Sequence, residues 1–423
     1  MKSYNKTILD NGLRIITVPH QDSLAVTLLV LVEAGSKYET KEINGLSHFL
    51  EHMCFKGTTN RPKAIMISSE LDGLGASYNA FTGQEYTGYW AKARPEHLDK
   101  IIELVSDLYL NPIFEEPEIE KEKGVIIEEI NMYEDLPPRK VAEIFEELLY
   151  GDQPAGWPIA GRKEIIRKLG RDDFLKYRGA HYVAPATTVV LAGKFEEKEA
   201  LPKLEKAFAA MRLDKKFGKE KVKEEQSRPE IKVQFRQTDQ THLIVGCRAY
   251  DIFDERRYAA DVLADILGGG MSSRLFEKVR NQLGAAYYVN AETAYYTDHG
   301  QFYVRAGLDN NRVRQVLEAI LEEMKKLAQE PVPAEDLHRA KEHLSGNTIL
   351  GLETSDAQAV FYGGQEILTK EIITIDELLQ EIQAVTNQDI QRVSQDIFQN
   401  SKLNLALIGP SKEPGEFQPI LHF

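Results

Sequence analysis

Apolar and polar positions alternate with period two through KTILDNGLRIITVP, and Asp10-Asn11-Gly12 interrupts the alternation. This is the pattern of two strands joined by a hairpin turn. LAVTLLVLVEAG (24–35) is a continuous β-branched apolar run and reads as a buried strand. The period then changes. In GLSHFLEHMCFKG, Leu46, Phe49, Leu50 and Met53 follow helical spacing, with Gly57 as the expected stop. ASYNAFTGQEYTGYWAKA reads as aromatic- and Thr-rich strands. HLDKIIELVSDLYLN reads as an amphipathic helix that ends before Pro112. PEIEKEKGVIIEEINMYEDL reads as a second helix, opened by Pro117 and closed near Pro137-Pro138. ATTVVLAGKF (186–195) is another strand.

The stretch 212–229, RLDKKFGKEKVKEEQSRP, is nearly all charged and reads as an exposed linker. After it the order restarts. Strands are expected in IKVQFRQTDQTHLIVGCRAY, a helix in DERRYAADVLADILGGG, and strands in YYVNAETAYY and GQFYVRAGL. Helices follow at 312–328 and 334–348. LNLALIG (403–409) repeats the pattern and place of ATTVVLAG (186–193). The expected fold class is α+β, with two similar halves of about 210 residues, each an antiparallel-rich sheet packed by helices. The domains are then 1–211 and 230–423, joined by 212–229. A diverged duplication fits this order; two unrelated α+β domains remain the alternative.

Composition narrows the function classes. The 423 residues are 42% hydrophobic, enough to bury a core without disulfides. The balance of 52 basic against 66 acidic residues disfavours nucleic acid as a partner, because no basic stripe appears. Cys54 and Cys247 stand far apart and imply no disulfide framework. Cys54 lies two positions past His52, on a different helix face, and reads as a small buried hydrophobe rather than a metal ligand. No apolar run is long enough to span a membrane and the N-terminus lacks the features of a targeting segment, so a cytoplasmic location is expected.

The chemistry concentrates at His48, Glu51 and His52. Residues four apart share one helix face, so both imidazoles can address a single ion, with Glu51 bordering that face. Zinc accepts imidazole and acidifies water; a neighbouring carboxylate can take the water's proton and pass it to a leaving amine. A catalytic zinc normally has three protein ligands, so a third is expected from elsewhere. The helix beginning at Pro117 is the best source. Glu122, Ile126 and Glu129 share a face there, and the flanking Ile126 and Ile130 favour Glu129 over Glu128.

With these residues in place, the sequence resembles the M16 peptidases, the pitrilysin-type inverzincins, and is closest to their processing-peptidase subfamily. The family pattern is H-x-x-E-H followed about 76 residues later by E; here positions 53–128, 76 residues, separate His52 from Glu129. The resemblance runs along the whole chain and is most specific over 35–140. It implies a zinc endopeptidase with one ion per chain, held by His48, His52 and Glu129. Glu51 would be the general base, and Glu122 would support the site. Asn79, Ala80 and Thr82 match an edge strand that pairs with substrate. Arg280 and Tyr287 match an Arg–Tyr pair that binds substrate backbone and steadies the oxyanion. Gly268-Gly269-Gly270 matches a glycine-rich turn, either a helix end or a gate for substrate. In single-chain relatives four such domains enclose a chamber. Two copies of this chain would therefore form one, as a homodimer with composite sites acting on extended or unfolded peptides. The alternative implied is a non-catalytic scaffold or partner subunit of a heterodimer.

Overall fold

The computed structural model describes residues 4–411 and 413–423. Two compact units emerge. One gathers the chain up to Ile130 with Pro158–Glu220 and Leu350–Thr374; the other comprises Asn131–Trp157, Lys221–Ile349 and Ile375–Phe423. The units therefore do not follow the contiguous halves 1–211 and 230–423.

The first unit is built on a six-stranded sheet. Its strands are β1 (Asn5–Ile8), β2 (Arg14–Pro19), β3 (Val26–Val32), β4 (Ser77–Thr82), β5 (Thr87–Ala93) and β6 (Thr187–Gly193), ordered β1-β2-β6-β3-β5-β4. The helices between these strands include α1 (Leu46–Cys54), α2 (Ala64–Gly73), α3 (Leu98–Leu110) and α4 (Glu116–Glu134), of which α1 and α4 carry the site. The expected hairpin is β1–β2, and β4 and β5 pair antiparallel. α1 ends at Cys54, earlier than Gly57, because Phe55 caps it by donating its N–H to the His52 and Met53 carbonyls. Pro137 and Pro138 follow α4 and also open a further helix, α5 (Pro137–Tyr150), since proline fits the first helical turn.

The second unit holds a five-stranded sheet of β7 (Glu230–Phe235), β8 (Gln240–Ala249), β9 (Ala286–Tyr295), β10 (Gly300–Asp309) and β11 (Leu403–Gly409), ordered β7-β11-β8-β10-β9. Strand for strand this repeats β2-β6-β3-β5-β4. In each of these five-strand runs the first pair, β2–β6 or β7–β11, is parallel and the rest antiparallel. The similar halves expected from the sequence are thus present as matching topologies.

Each sheet has two apolar faces, which explains why the units are not contiguous. β3 sends Leu28, Val30 and Val32 into a core with α1 and α3, and sends Leu29 and Leu31 to the opposite face. That opposite face is covered by Ala359, Tyr362 and Ile367 of the helix Ser355–Thr369, which lies late in the chain. In the second unit Val141, Ile144, Phe145 and Leu149 of α5 cover Ile244, Ala406 and Ile408. One helix from each sequence half therefore completes the other half's sheet. The charged stretch 212–229 forms no helix or strand. It is held at intervals: Lys216 pairs with Glu33 at 2.7 Å and Lys219 with Glu85 at 3.2 Å in the first unit, and Val222 N donates to Asp298 Oδ2 at 3.1 Å in the second. No helix among the described residues is long and apolar enough to cross a membrane.

Candidate metal centre

α1 is amphipathic. Leu46, Phe49, Leu50, Met53 and Cys54 are buried in the core, which turns His48, Glu51 and His52 to the remaining face. Cys54 is packed there as expected: its thiol donates to the Tyr89 hydroxyl at 3.6 Å, and burial pushes it up to about 11. α4 buries Ile119, Glu122, Ile126 and Ile130, so Glu129 stands half-buried beside that row while Glu128 faces solvent. This exposure separates the two glutamates where spacing only favoured one. Val125, at 51% exposure, lies outside the apolar row.

The two helices bring one ligand atom each from His48, His52 and Glu129 within 4.8 Å of one another. Glu129 Oε2 lies 3.6 Å from His48 Nε2 and 3.5 Å from His52 Nε2. The imidazole rings sit edge to face, 4.6 Å between centroids. The group suits zinc chemically, being two imidazoles and one carboxylate, a set that leaves a fourth position open. Glu122 Oε1 lies 2.9 Å from His52 Nδ1, so it accepts that ring N–H and leaves the Nε2 lone pair directed at Glu129's side of the site. Lys56 Nζ donates to Glu122 Oε2 at 2.6 Å.

Electrostatics follow the same layout. Burial pushes the Glu51 carboxyl up, and Glu129 adds to the rise against the opposing Thr82 hydrogen bond and His52 charge. Burial works against a charged His52, but Glu122, Glu51 and Glu129 outweigh it and raise its proton affinity. Burial also opposes the Glu122 carboxylate, yet His52 and Lys56 hold it below its ordinary range.

β4 is an edge strand: on one side it pairs with β5, and on the other no strand lies beside it among the described residues. Asn79, Ala80 and Thr82 all lie on it. Thr82 does more than line the edge, since its hydroxyl donates to Glu51 Oε2 at 2.5 Å. Sequence reasoning missed this contact and the Lys56–Glu122 pair. Lys56 stands four residues after His52, so helical spacing carried a trace of it.

Arg280 and Tyr287 lie in the second unit and meet there. Arg280 Nη1 donates to the Tyr287 carbonyl, and its guanidinium sits 5.7 Å from the Tyr287 ring centroid. Arg280 belongs to a π-helical turn, Phe276–Gln282, and Tyr287 is 72% exposed on β9. The glycine turn is a helix end, with Gly268 closing Arg257–Gly268. A Cβ at Gly268 would overlap the Ala291 amide, one at Gly269 would overlap Asp265 Oδ1, and one at Gly270 would come within 3.2 Å of the His343 ring. Close packing therefore requires Gly268 and Gly269 and leaves a side chain at Gly270 tight against His343, and Asp265 and His343 lock the turn through a 2.7 Å hydrogen bond.

Comparison with known proteins decides the family. Residues 14–163 match the family model described as Insulinase (Peptidase family M16), and 168–344 match that of the Peptidase M16 inactive domain. The uncharacterized zinc protease YmxG of Bacillus subtilis is 34% identical over 402 residues, covering 95% of this chain and 97% of the relative. The chain belongs to peptidase family M16. A second uncharacterized zinc protease, SCO5738 of Streptomyces coelicolor, is 34% identical over 96% of this chain and 90% of its own length. Among solved structures, a protease from Helicobacter pylori superimposes with a TM-score of 0.91 at 22% identity, over 96% of this chain and 99% of that one. The peptidase M16 inactive domain from Pseudomonas fluorescens gives 0.88 at 16% identity, over 97% and 98%. These two share the M16 fold. His48, Glu51, His52, Glu122 and Glu129 all fall in the segment matching the Insulinase model.

Proposed function

We propose that this M16 protein is a zinc endopeptidase that cleaves extended peptides. The observation that carries the reading is the convergence of His48, His52 and Glu129, with Glu51 alongside and Glu122 behind His52. These three residues would hold one zinc ion. When bound, zinc supplies Lewis-acid polarisation of the scissile carbonyl and acidifies water. Glu51 then takes the proton of the attacking water as its oxygen adds to the carbonyl carbon. When the C–N bond breaks, Glu51 returns that proton to the leaving amine. Thr82 holds Glu51 Oε2, which would leave Oε1 to take the proton.

The open edge of β4 supports an extended substrate, which would add as a further strand through main-chain hydrogen bonds. Unfolded segments and peptides offer such a strand along their whole length, so they are the proposed substrate class. Arg280 and Tyr287 supply a cation and a phenol suited to a developing oxyanion. We assign them to the site of a second copy, in a homodimer that encloses one chamber and whose two composite sites each use residues from both chains. The cytoplasm remains the proposed location.

The reading is tested by metal content from mass spectrometry together with hydrolysis of a quenched unstructured peptide. Stoichiometric zinc and chelator-sensitive cleavage are expected; a wild-type chain with neither refutes it. Shared sites are tested by mixing Glu51→Gln chains with Arg280→Ala chains. Partial recovery of activity is expected, and no recovery above the separate variants refutes the composite site.

A further inference from the structure

α1 is only nine residues long, and its N-cap, Gly45, has no side chain to accept the first-turn N–H groups. Gly45 is required there: its φ is +98°, and a Cβ would come within 2.8 Å of the Ala160 carbonyl oxygen. So short a helix is marginal on its own and depends on what fixes its ends. The missing acceptor comes from Glu39, six positions upstream. Its Oε1 accepts from Ser47 N at 2.6 Å, and its Oε2 accepts from Gly45 N at 2.7 Å and from Asn44 Nδ2 at 3.1 Å. Glu39 is 4% exposed, and burial pushes its carboxyl up to about 7 against those hydrogen bonds. Burying a carboxylate is costly, and a first turn of aligned N–H dipoles offsets that cost.

The segment carrying Glu39 grips the other side of the site as well. Ser36 N donates to the Gly83 carbonyl at 3.2 Å and Lys37 N to the Gln84 carbonyl at 2.9 Å. Lys37 Nζ, itself buried, pairs with Glu85 at 3.0 Å. Gly83–Glu85 is the turn that follows Thr82, the residue bonded to Glu51. Ser47 Oγ meets the Tyr177 hydroxyl at 2.7 Å, and that hydroxyl donates to the Gly35 carbonyl at 3.2 Å. One short segment thus fixes the first turn of α1 and the turn that places Thr82.

We propose that Glu39 is a positioning residue for the metal centre: it holds α1 in the register that aims His48 and His52 at Glu129 and sets Glu51 against Thr82. Because it acts through α1, the inference rests on the zinc reading above. Glu39→Gln preserves shape but turns an amide NH2 toward one of two backbone donors, so one accepted bond becomes a donor–donor clash.

The test is zinc dissociation from the full chain by chelator competition, with the thermal midpoint measured alongside and amide exchange at Ser47 followed in metal-stripped protein. Glu39→Gln is expected to weaken zinc binding on the order of tenfold and to speed exchange at Ser47 while the midpoint stays near wild type. Glu39→Asp is expected to recover part of the affinity. Asn44→Ala keeps the carboxylate and removes one donor; it serves if Glu39→Gln does not fold, and a several-fold loss is expected. Wild-type affinity in these variants overturns the proposal and leaves the zinc reading intact, as does a loss that follows the thermal midpoint equally in Gln and Asp. A wild-type chain that binds no zinc overturns both.

Discussion

Removing the Glu122 carboxylate gives the sharpest test of how the centre is built. Glu122 is 4% exposed and bridges His52 Nδ1 at 2.9 Å and Lys56 Nζ at 2.6 Å. A hydrogen bond to an ionised group contributes roughly 1.5–3 kcal/mol and a neutral one about 1 kcal/mol. Glu122→Gln keeps one acceptor oxygen, so His52 exchanges a charge-assisted bond for a neutral one. That difference, about 1.4 kcal/mol, corresponds to tenfold weaker zinc binding. Glu122→Ala leaves Nδ1 without its carboxylate and is expected to cost up to about 100-fold. The pH dependence has a definite sign. Glu122 raises the proton affinity of His52 as well as its metal affinity, and zinc must displace that proton. Below the raised pKa the wild type loses more affinity to protons than the variant does, so the penalty shrinks. Chelator competition at about pH 6 and about pH 8.5 should therefore show the larger ratio at the higher pH. An equal ratio at both, or a larger one in acid, refutes this role for Glu122.

Glu51→Gln should retain zinc at wild-type stoichiometry while peptide hydrolysis falls by roughly 10²–10⁴-fold; chelator-sensitive activity near wild type refutes the assignment of the base. Thr82→Val removes the hydroxyl that holds Glu51 Oε2 but keeps the β-branched shape. It should lower kcat by more than it raises KM, with zinc content unchanged, and a pure KM effect would place Thr82 in substrate pairing alone. His181 offers a stability test at a residue that is not one of the metal ligands. It is buried against Tyr177, with 4.4 Å between ring centroids, and burial pushes its pKa down to about 4. The unfolded chain binds that proton near pH 6.5, so this contribution to stability is whole above about 6.5 and is lost as pH falls toward 4, on the order of 3 kcal/mol in all. His181→Phe should flatten the acid limb of the denaturation midpoint; an unchanged acid limb refutes it.

The strands were largely legible because each carries its own period. LNLALIG is β11 over the same seven residues, and the Asp10-Asn11-Gly12 turn joins β1 to β2. The partners of the covering helices were not legible. The apolar stripe of α5 (Val141, Ile144, Phe145, Leu149) has the same period as any sheet-covering helix, and nothing in it names Ile244 or Ala406 as the surface it meets. Periodicity reports that a face is buried and is silent on which sheet buries it. That is why the contiguous halves differ from the packed units, and why α5 and Ser355–Thr369 are exchanged between sequence halves.

The site divides in the same way. His48, Glu51 and His52 were readable because their spacing alone places them on one helix face, and Glu129 was favoured because it borders the apolar row of its own helix. Thr82, Lys56 and Glu39 act across elements, so their roles exist only once α1, α4, β4 and the segment before α1 are brought together. β4 shows how far local reasoning reaches. Asn79, Ala80 and Thr82 were grouped as one substrate surface, yet strand side chains alternate between faces. Ala80 packs into the core that α1 shares, Thr82 reaches Glu51 on α1, and Phe81 joins the core on the opposite face. By the same alternation Asn79 belongs with Phe81, so only Ala80 and Thr82 have side chains on the metal side. Asn79 bears on the edge differently: its Oδ1 accepts from the Ala80 N–H at 2.9 Å, so a substrate strand pairing there would have to displace that bond. On the proposed peptidase reading, the side chain this strand offers toward the metal side is therefore the Thr82 hydroxyl, because Ala80 is buried in the core.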